Sequence, residues 1–205
     1  MKGLVVYDSK YGNTGLIAEA IASTLKYKAM PVSEIPPERL LAYEHVILGT
    51  PTHMARPSDA MINLLIGLPG NVLTGVNFTC FSTCVDGRDL GLIDRGFSML
   101  ETHRHSEIKL PKHVLQSLPQ EVQHRLAEVE EKLPLSRAML PSPPSLILPS
   151  HAAQIMSILL HEAGAAPLGK AVNFYVQDIE GPLKEGEIDR ATEWAKELRL
   201  SVKFS

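Results

Sequence analysis

Short apolar runs alternate with longer amphipathic stretches along most of the chain. Leu4–Tyr7, His45–Gly49 and Val76–Ser82 are short and rich in apolar or β-branched residues, which is typical of buried strands. Between them, apolar residues recur at helical spacing over Asn13–Leu25 and again after Pro57. Weaker signals complete the alternation, with strands predicted at Ala29–Val32 and Ala171–Val176 and helices at Ala152–Ala163 and Glu185–Leu198.

Five strands that alternate with helices predict an α/β fold: a doubly wound, five-stranded parallel sheet with helices on both faces. Residues 88–150 interrupt the alternation, because they carry no strong strand signal. This segment is predicted to hold helices at about Asp94–His103 and Gln120–Leu133, followed by a proline-rich return, Pro141–Pro149. We therefore expect one domain over residues 1–205, with a helical insertion at 88–150 after the fourth strand.

The insertion is too long to be a plain connector, and long loops of this kind are usually functional. The apolar face of the helix predicted at Gln120–Leu133 has to be covered. The chain's own domain could cover it, or it could form a lid over a ligand, or it could pair with a second subunit in a homodimer. The sequence pattern leaves these three roles open.

Composition narrows the class of protein. The 205 residues are 44% hydrophobic with a formal net charge of −3, which suits a globular core and lacks the basic excess of a nucleic-acid-binding protein. The only cysteines are Cys80 and Cys84, which argues against a disulfide framework and fits a reducing cytoplasm. No apolar stretch is long enough to cross a membrane, and no residues have the spacing of a structural zinc site. We expect a cytoplasmic protein without nucleic-acid, membrane or metal partners.

The loop after the first predicted strand carries the strongest chemical signal. Ser9 and Thr14 offer hydroxyl groups, Asn13 an amide and Gly12 an uncluttered backbone, and the loop ends where a helix begins. Unpaired backbone N–H groups at a helix start favour a phosphate. The loop has neither the Walker A pattern nor Gly-x-Gly-x-x-Gly, so a dinucleotide is disfavoured. Considered alone, the motif suits a phosphate site and an ordinary capped turn equally well.

Two further loops follow the third and fourth predicted strands. Thr50–Met54 comes directly after the third strand, and Thr83–Gly87 comes after the fourth. In a doubly wound sheet of order 2-1-3-4-5, strands one and three are neighbours, and ligands bind outside the carboxyl ends at that point. All three loops should meet at this edge, so a phosphate on the first loop would direct its attached ring toward the other two.

These loops, together with Gly181–Gly186, resemble the flavodoxin family. The resemblance covers about residues 1–87 and 151–200 and leaves the insertion uncovered. It implies a flavodoxin-like sheet of order 2-1-3-4-5, a noncovalent flavin mononucleotide (FMN) cofactor, and electron transfer with a redox partner protein or a small-molecule acceptor. By position in the motifs, it implies a phosphate site of Ser9, Tyr11, Gly12, Asn13 and Thr14, with one side of the ring lined by Thr50, Pro51, Thr52, His53 and Met54 and the other by Thr83, Cys84, Asp86 and Gly87.

The chain departs from the family at informative positions. Tyr11 stands where a threonine is common, and the ring-facing loops contain no tryptophan or tyrosine, which leaves His53 and Met54 to form the wall. Ala55 stands near a position where many members have glycine. A positive φ there costs alanine about 1 kcal/mol or more, so we expect weaker stabilisation of the one-electron-reduced flavin.

Three functions remain compatible with the sequence. The first is an FMN-binding electron-transfer flavoprotein. The second is an FMN-dependent oxidoreductase of the quinone or NAD(P)H type, with its substrate pocket under the insertion. The third is a binding module that has the fold but no flavin. A flavin supplies the redox chemistry itself, so no catalytic side chain is assigned.

Overall fold

Six parallel strands form one sheet, and all of its strand pairs run in the same direction. The computed structural model of the chain describes residues 2–53, 56–86, 116, 118–124 and 151–202. The described strands are β1 (Gly3–Tyr7), β2 (Lys28–Pro31), β3 (His45–Pro51), β4 (Asn77–Val85), β5 (Ala166–Pro167) and β6 (Val172–Val176).

The strand order confirms the predicted 2-1-3-4-5 arrangement, with one addition at the outer edge. β2, β1, β3 and β4 lie side by side, and the position beyond β4 is shared by two segments. β5 pairs with the start of β4, at Asn77 and Phe78, whereas β6 pairs with its later part, from Phe81 to Val85. The fifth predicted strand therefore corresponds to β6, and the short β5 is an extra element.

Four long helices are described, and they cover both faces of the sheet. Their bounds are α1 (Asn13–Leu25), α2 (Asp59–Ile66), α3 (His151–Glu162) and α4 (Glu187–Val202), and 3-10 turns occupy Val32–Glu34 and Pro37–Ala42. α1 has the bounds that the apolar spacing predicts. It ends at Lys26, which has a φ of 60° and donates its N–H to the last turn.

The central strands β1, β3 and β4 are buried on both faces, which explains their nearly continuous apolar runs. On one face Val5 and Ile47 pack against α1 and α4, and on the other Leu4 and Leu48 pack against α2 and α3. The first face also holds an aromatic cluster, in which Phe81, Phe174 and Trp194 meet edge to face with ring centroids 5.8–6.4 Å apart.

A buried polar chain crosses the sheet near its amino edge. Tyr27 lies with its hydroxyl 3.3 Å from Nδ1 of His45, whose Nε2 is 3.2 Å from the Thr79 hydroxyl oxygen. Thr79 donates its own hydrogen to the carbonyl oxygen of Leu168. The Thr79 oxygen must then accept from Nε2–H, and Nδ1 accepts from Tyr27, so His45 is a neutral imidazole with both nitrogens bonded.

Part of the insertion packs on the domain itself. Residues 120–124 are helical, as predicted. Leu118 and Val122 are buried in the core on the face of the sheet that α2 and α3 cover. The predicted helix at Asp94–His103, the remainder of Gln120–Leu133 and the proline-rich run lie outside the described residues. Within the ranges that the structure describes, no helix is both long and apolar enough to span a membrane.

Candidate functional site

The loops that follow β1, β3 and β4 meet at the carboxyl edge of the sheet, as the strand order predicts. The Asp8 N–H donates to the carbonyl oxygen of Gly49 at 3.0 Å, which joins the first loop to β3. The Thr52 N–H donates to the carbonyl oxygen of Thr83 at 2.8 Å, which joins the second loop to β4. The described residues of the three predicted groups therefore lie along one edge of the sheet.

The start of α1 is open to an anion. Gly12 precedes the helix with a φ of 88°, and a Cβ added there would meet nothing within 4 Å. The N-cap residue, Gly12, has no side chain with which to cap the helix, and the first turn contains no acidic residue. Among the described residues, nothing accepts a hydrogen bond from the backbone N–H groups of residues 10–14. These N–H groups carry the partial positive charge of a helix start, which favours a phosphate.

The polar side chains of this loop are held by the fold. Ser9 Oγ accepts from the Gly15 N–H at 3.0 Å, which leaves its own hydrogen free to donate to a ligand. The Thr14 hydroxyl is 2.7 Å from the Thr83 hydroxyl and is almost completely buried, so it joins α1 to β4. Tyr11 is 41% exposed, with the Lys10 ammonium 5.1 Å from its ring centroid.

The residues after β3 fall into two groups. Thr50 is fully buried and accepts from the Ser58 N–H at 3.0 Å, so its side chain fixes the start of α2 instead of facing the edge. Pro51, Thr52 and His53 are partly exposed at the edge. The backbones of His53 and Arg56 exchange two 3.0 Å hydrogen bonds, which form an isolated antiparallel bridge. Met54 and Ala55 lie outside the described residues.

A buried carboxylate, Asp86, directly follows the end of β4. Burial, together with the nearby Asp86 carboxylate, raises the pKa of the Cys84 thiol to about 12, so the thiol stays protonated at neutral pH. Asp86 is fully buried and lies 3.1 Å from the Lys184 ammonium. Gly87 lies outside the described residues.

The loop between β6 and α4 also belongs to this edge, although the motif-based assignment of site residues does not include it. We call residues 177–184 the closing loop. Asn13 donates its side-chain N–H to the carbonyl oxygen of Glu180 at 2.9 Å. Gly181 has a φ of 107°, and a Cβ there would overlap the Asn13 amide. The rule that ligands bind at the carboxyl ends of strands applies to the last strand as well, and this signal could have found the loop.

Residues 4–95 match the family model described as a flavodoxin domain. The chain is flavodoxin-like. Its fold is similar to oxidised flavodoxin 1 from Bacillus cereus, with a TM-score of 0.60, 14% identity and 98% of each chain covered. It is also similar to a flavodoxin from Streptococcus pneumoniae TIGR4, with a TM-score of 0.56, 14% identity, and 98% of this chain and 99% of that one covered.

A larger protein contains the same fold as a part. The flavodoxin-like chain matches rubredoxin oxygen:oxidoreductase from Desulfovibrio gigas with a TM-score of 0.54 and 11% identity, and the match covers 98% of this chain and 37% of that one. No curated protein sequence matches the chain. At sequence identities of 11–14%, these structural similarities establish the fold alone. Any binding function has to be argued from the residues of the chain itself.

The residues of the flavodoxin-like edge fit a flavin phosphate. The open space at Gly12 and the run of free N–H groups at residues 10–14 suit a phosphate monoester held by neutral donors. Ser9 has a hydroxyl hydrogen available at the same loop. Thr52 and His53 after β3, and Cys84 and Val85 at the end of β4, are partly exposed at the same edge of the sheet, where an attached ring would extend. The Ser9 hydroxyl and the backbone N–H groups of Tyr11, Gly12, Asn13 and Thr14 would hold the phosphate, whereas the Thr14 hydroxyl lies against Thr83.

Proposed function

We propose that this flavodoxin-like chain binds FMN at the carboxyl edge of its sheet and transfers electrons through it. The observation that carries the proposal is the start of α1, where Gly12 leaves open space beside backbone N–H groups that have no partner among the described residues. Flavin binding and electron transfer as the general class are supported by the flavodoxin family match.

Bound FMN would supply the redox chemistry, because the isoalloxazine ring accepts and releases electrons without a side-chain nucleophile. The chain's own residues would bind and orient it. The N–H groups of residues 10–14 would hold the phosphate, Thr52 and His53 would flank the ring on one side, and Cys84 would flank it on the other, close to the buried Asp86 carboxylate. A neutral Cys84 thiol would pack against the ring without adding charge.

The direct test measures phosphate recognition. Protein freed of any bound flavin is titrated with FMN and with riboflavin, and the absorbance spectrum of the purified protein is recorded before flavin is removed. We expect a flavin spectrum and a preference for FMN over riboflavin, since the phosphate contributes charge-assisted hydrogen bonds.

Tyr11 offers a matched pair of variants. Its side chain is 41% exposed at the phosphate loop, so replacing it disturbs little packing. Tyr11→Asp places a negative charge beside the free N–H groups, whereas Tyr11→Asn has nearly the same shape without the charge. We expect Y11D to bind FMN at least tenfold more weakly than Y11N, because like charges a few ångströms apart repel by about 1 kcal/mol in water and more near a protein surface. Riboflavin affinity should differ little between the two.

Other results would support other functions. Absence of flavin from the purified protein, combined with no FMN binding, would contradict the proposal and favour a binding module. Steady-state oxidation of NADH or NADPH with a quinone acceptor would favour an FMN-dependent oxidoreductase over an electron carrier.

A further inference from the structure

The closing loop, residues 177–184, connects the two halves of the candidate flavin site. Near its middle, the Glu180 carbonyl accepts from Asn13 in the phosphate loop at 2.9 Å. At its end, the Lys184 ammonium lies 3.1 Å from Asp86 at the end of β4. One segment therefore contacts the loop assigned to the phosphate and the strand end assigned to the ring.

Backbone contacts hold Lys184 in place. Its N–H donates to the carbonyl oxygen of Tyr175 at 2.9 Å, and Leu183 forms a β-bridge with Val176. The Lys184 ammonium also lies 5.9 Å from the centroid of the Tyr175 ring, within range of a cation–π contact. The loop is anchored on β6, which places Lys184 within reach of the end of β4, and its side chain is 28% exposed, so most of it is packed against the protein.

The electrostatic surroundings of Asp86 make this ammonium important. The Asp86 side chain is 1% exposed, and an ionised carboxylate that deeply buried is costly without a compensating charge. Its negative charge opposes ionisation of two neighbours, since it contributes to the raised pKa of both Cys84 and Tyr175. Because the Asp86 carboxylate affects both groups electrostatically, it would also oppose the addition of negative charge to a flavin ring beside them.

We infer that Lys184 is a positioning residue of the flavin site that neutralises buried Asp86 and thereby makes reduction of the bound flavin easier. The inference rests on the proposed function, since it needs FMN at this edge. Reduction adds electrons to the ring, and a nearby positive charge favours the reduced form whereas a nearby negative charge disfavours it. Lys184 acts on the ring through Asp86 and through its own charge.

A set of charge variants tests this effect. The midpoint potential of bound FMN is measured for wild type, Lys184→Gln, Asp86→Asn and the double variant, with FMN affinity measured in both oxidation states. We expect D86N to have the highest potential and K184Q the lowest, with the double variant near wild type. For K184Q we expect the preference for oxidised over reduced FMN to increase about tenfold or more, which is about 30 mV for a two-electron couple.

The matched control is Lys196→Gln. Lys196 also forms an ion pair, with Glu193 at 2.6 Å, but both side chains are more than half exposed on α4. Pairs of this kind contribute little, so K196Q should leave the potential and the FMN affinity unchanged.

Thermal unfolding of the flavin-free protein distinguishes a positioning role of Lys184 from a general folding defect. The melting temperature of the flavin-free protein should fall in K184Q, because Asp86 loses this partner, and should recover in large part in D86N/K184Q. If K184Q folds poorly, D86N and the double variant still give the expected order of potentials.

Three results would overturn the inference, and they differ from one another. Equal weakening of oxidised and reduced FMN in K184Q, with the potential unmoved, would show a purely structural role. Unchanged affinity and potential in K184Q, with FMN bound normally by the wild type, would show no role. Failure of the wild type itself to bind FMN would overturn the proposed function together with this inference.

Discussion

At the scale of single residues, His45 shows how burial fixes a protonation state. It is fully buried between Tyr27 and Thr79, and the hydrogen bonds of both neighbours suit the neutral ring. Burial lowers the pKa of His45 from its usual 6.5 to about 4, because a charged imidazole would lose its hydration there. A neutral side chain therefore joins β3 to β4 and to Tyr27, the residue before β2, near the amino edge of the sheet.

This burial predicts a pH dependence of stability. Between about pH 6.5 and pH 4 the unfolded chain protonates His45 while the folded chain does not, so the free energy of unfolding should fall as the pH falls through this window. The full contribution, up to about 3 kcal/mol, is present above pH 6.5. Urea unfolding of wild type and His45→Gln at several pH values measures it.

In that experiment the wild type and the variants are compared by the slope of the free energy of unfolding against pH, and not by the free energy itself. H45Q should lose part of the slope, whereas His124→Gln, at an exposed histidine, should keep it. An H45Q protein with the same slope as wild type between pH 4 and 6.5 would contradict the assignment.

At the scale of elements, α1 and β5 differ in how far the local sequence predicts them. α1 could be predicted from end to end, since its apolar stripe and the turn residues before it are local signals. β5 could not be predicted, because two residues, one of them Pro167, carry no strand pattern. Its pairing is determined by β4, which lies far away in the chain.

The closing loop provides the element-scale prediction. Gly181→Ala places a methyl group against the Asn13 amide at a φ of 107°, so the loop and the amide have to separate. A positive φ costs about 1–2 kcal/mol for a residue with a side chain, and loss of the Asn13–Glu180 hydrogen bond adds about 1 kcal/mol. We expect G181A to lower the free energy of unfolding and to weaken FMN binding.

Gly186→Ala is the control for G181A. Gly186 also has a positive φ, 81°, but a Cβ there would meet nothing within 4 Å. G186A should therefore show the backbone cost alone. Chemical denaturation of both variants measures the difference, and equal destabilisation would mean that the contact with Asn13 contributes nothing.

At the scale of the whole molecule, one sheet separates two apolar cores. The side with α1 and α4 contains Trp194, which is the only tryptophan of the chain, packed on Phe81 and Phe174. The opposite side contains α2, α3 and the described part of the insertion. Because both cores share the same strands, we expect neither to persist without the other.

Because the two cores share strands, we expect the protein to unfold cooperatively. A substitution that destabilises one core should therefore destabilise the other as well. Ile155→Ala leaves a cavity on the α3 side, where Ile155 is fully buried, and should cost about 2–5 kcal/mol. The midpoints of unfolding measured by Trp194 fluorescence and by far-ultraviolet circular dichroism should shift together. A shift in circular dichroism with unchanged fluorescence would show that the cores unfold separately.

The overall architecture could be predicted from sequence because the alternation of apolar runs and helices dictates few topologies. The phosphate loop could be recognised because its residues are consecutive. Lys184 lies within Gly181–Gly186, a segment that contributes to the family resemblance, but the motif assigns it no role, since its importance depends on Asp86, which is 98 positions away in the chain. Thr50 likewise has a place in the motif, yet its hydroxyl is occupied by Ser58, a contact that only the folded backbone reveals.

The divided outer strand has a consequence for how this protein behaves at high concentration. An uninterrupted edge strand offers a row of free peptide groups on which another chain can add, and this is a common start of aggregation. Here the edge beyond β4 consists of a two-residue and a five-residue piece, separated by residues 168–171. Lys170 is exposed in that gap, and Pro167 has no N–H to offer. The interruption limits how many contiguous hydrogen bonds a second molecule could form there, which makes the edge a poor template for strand addition.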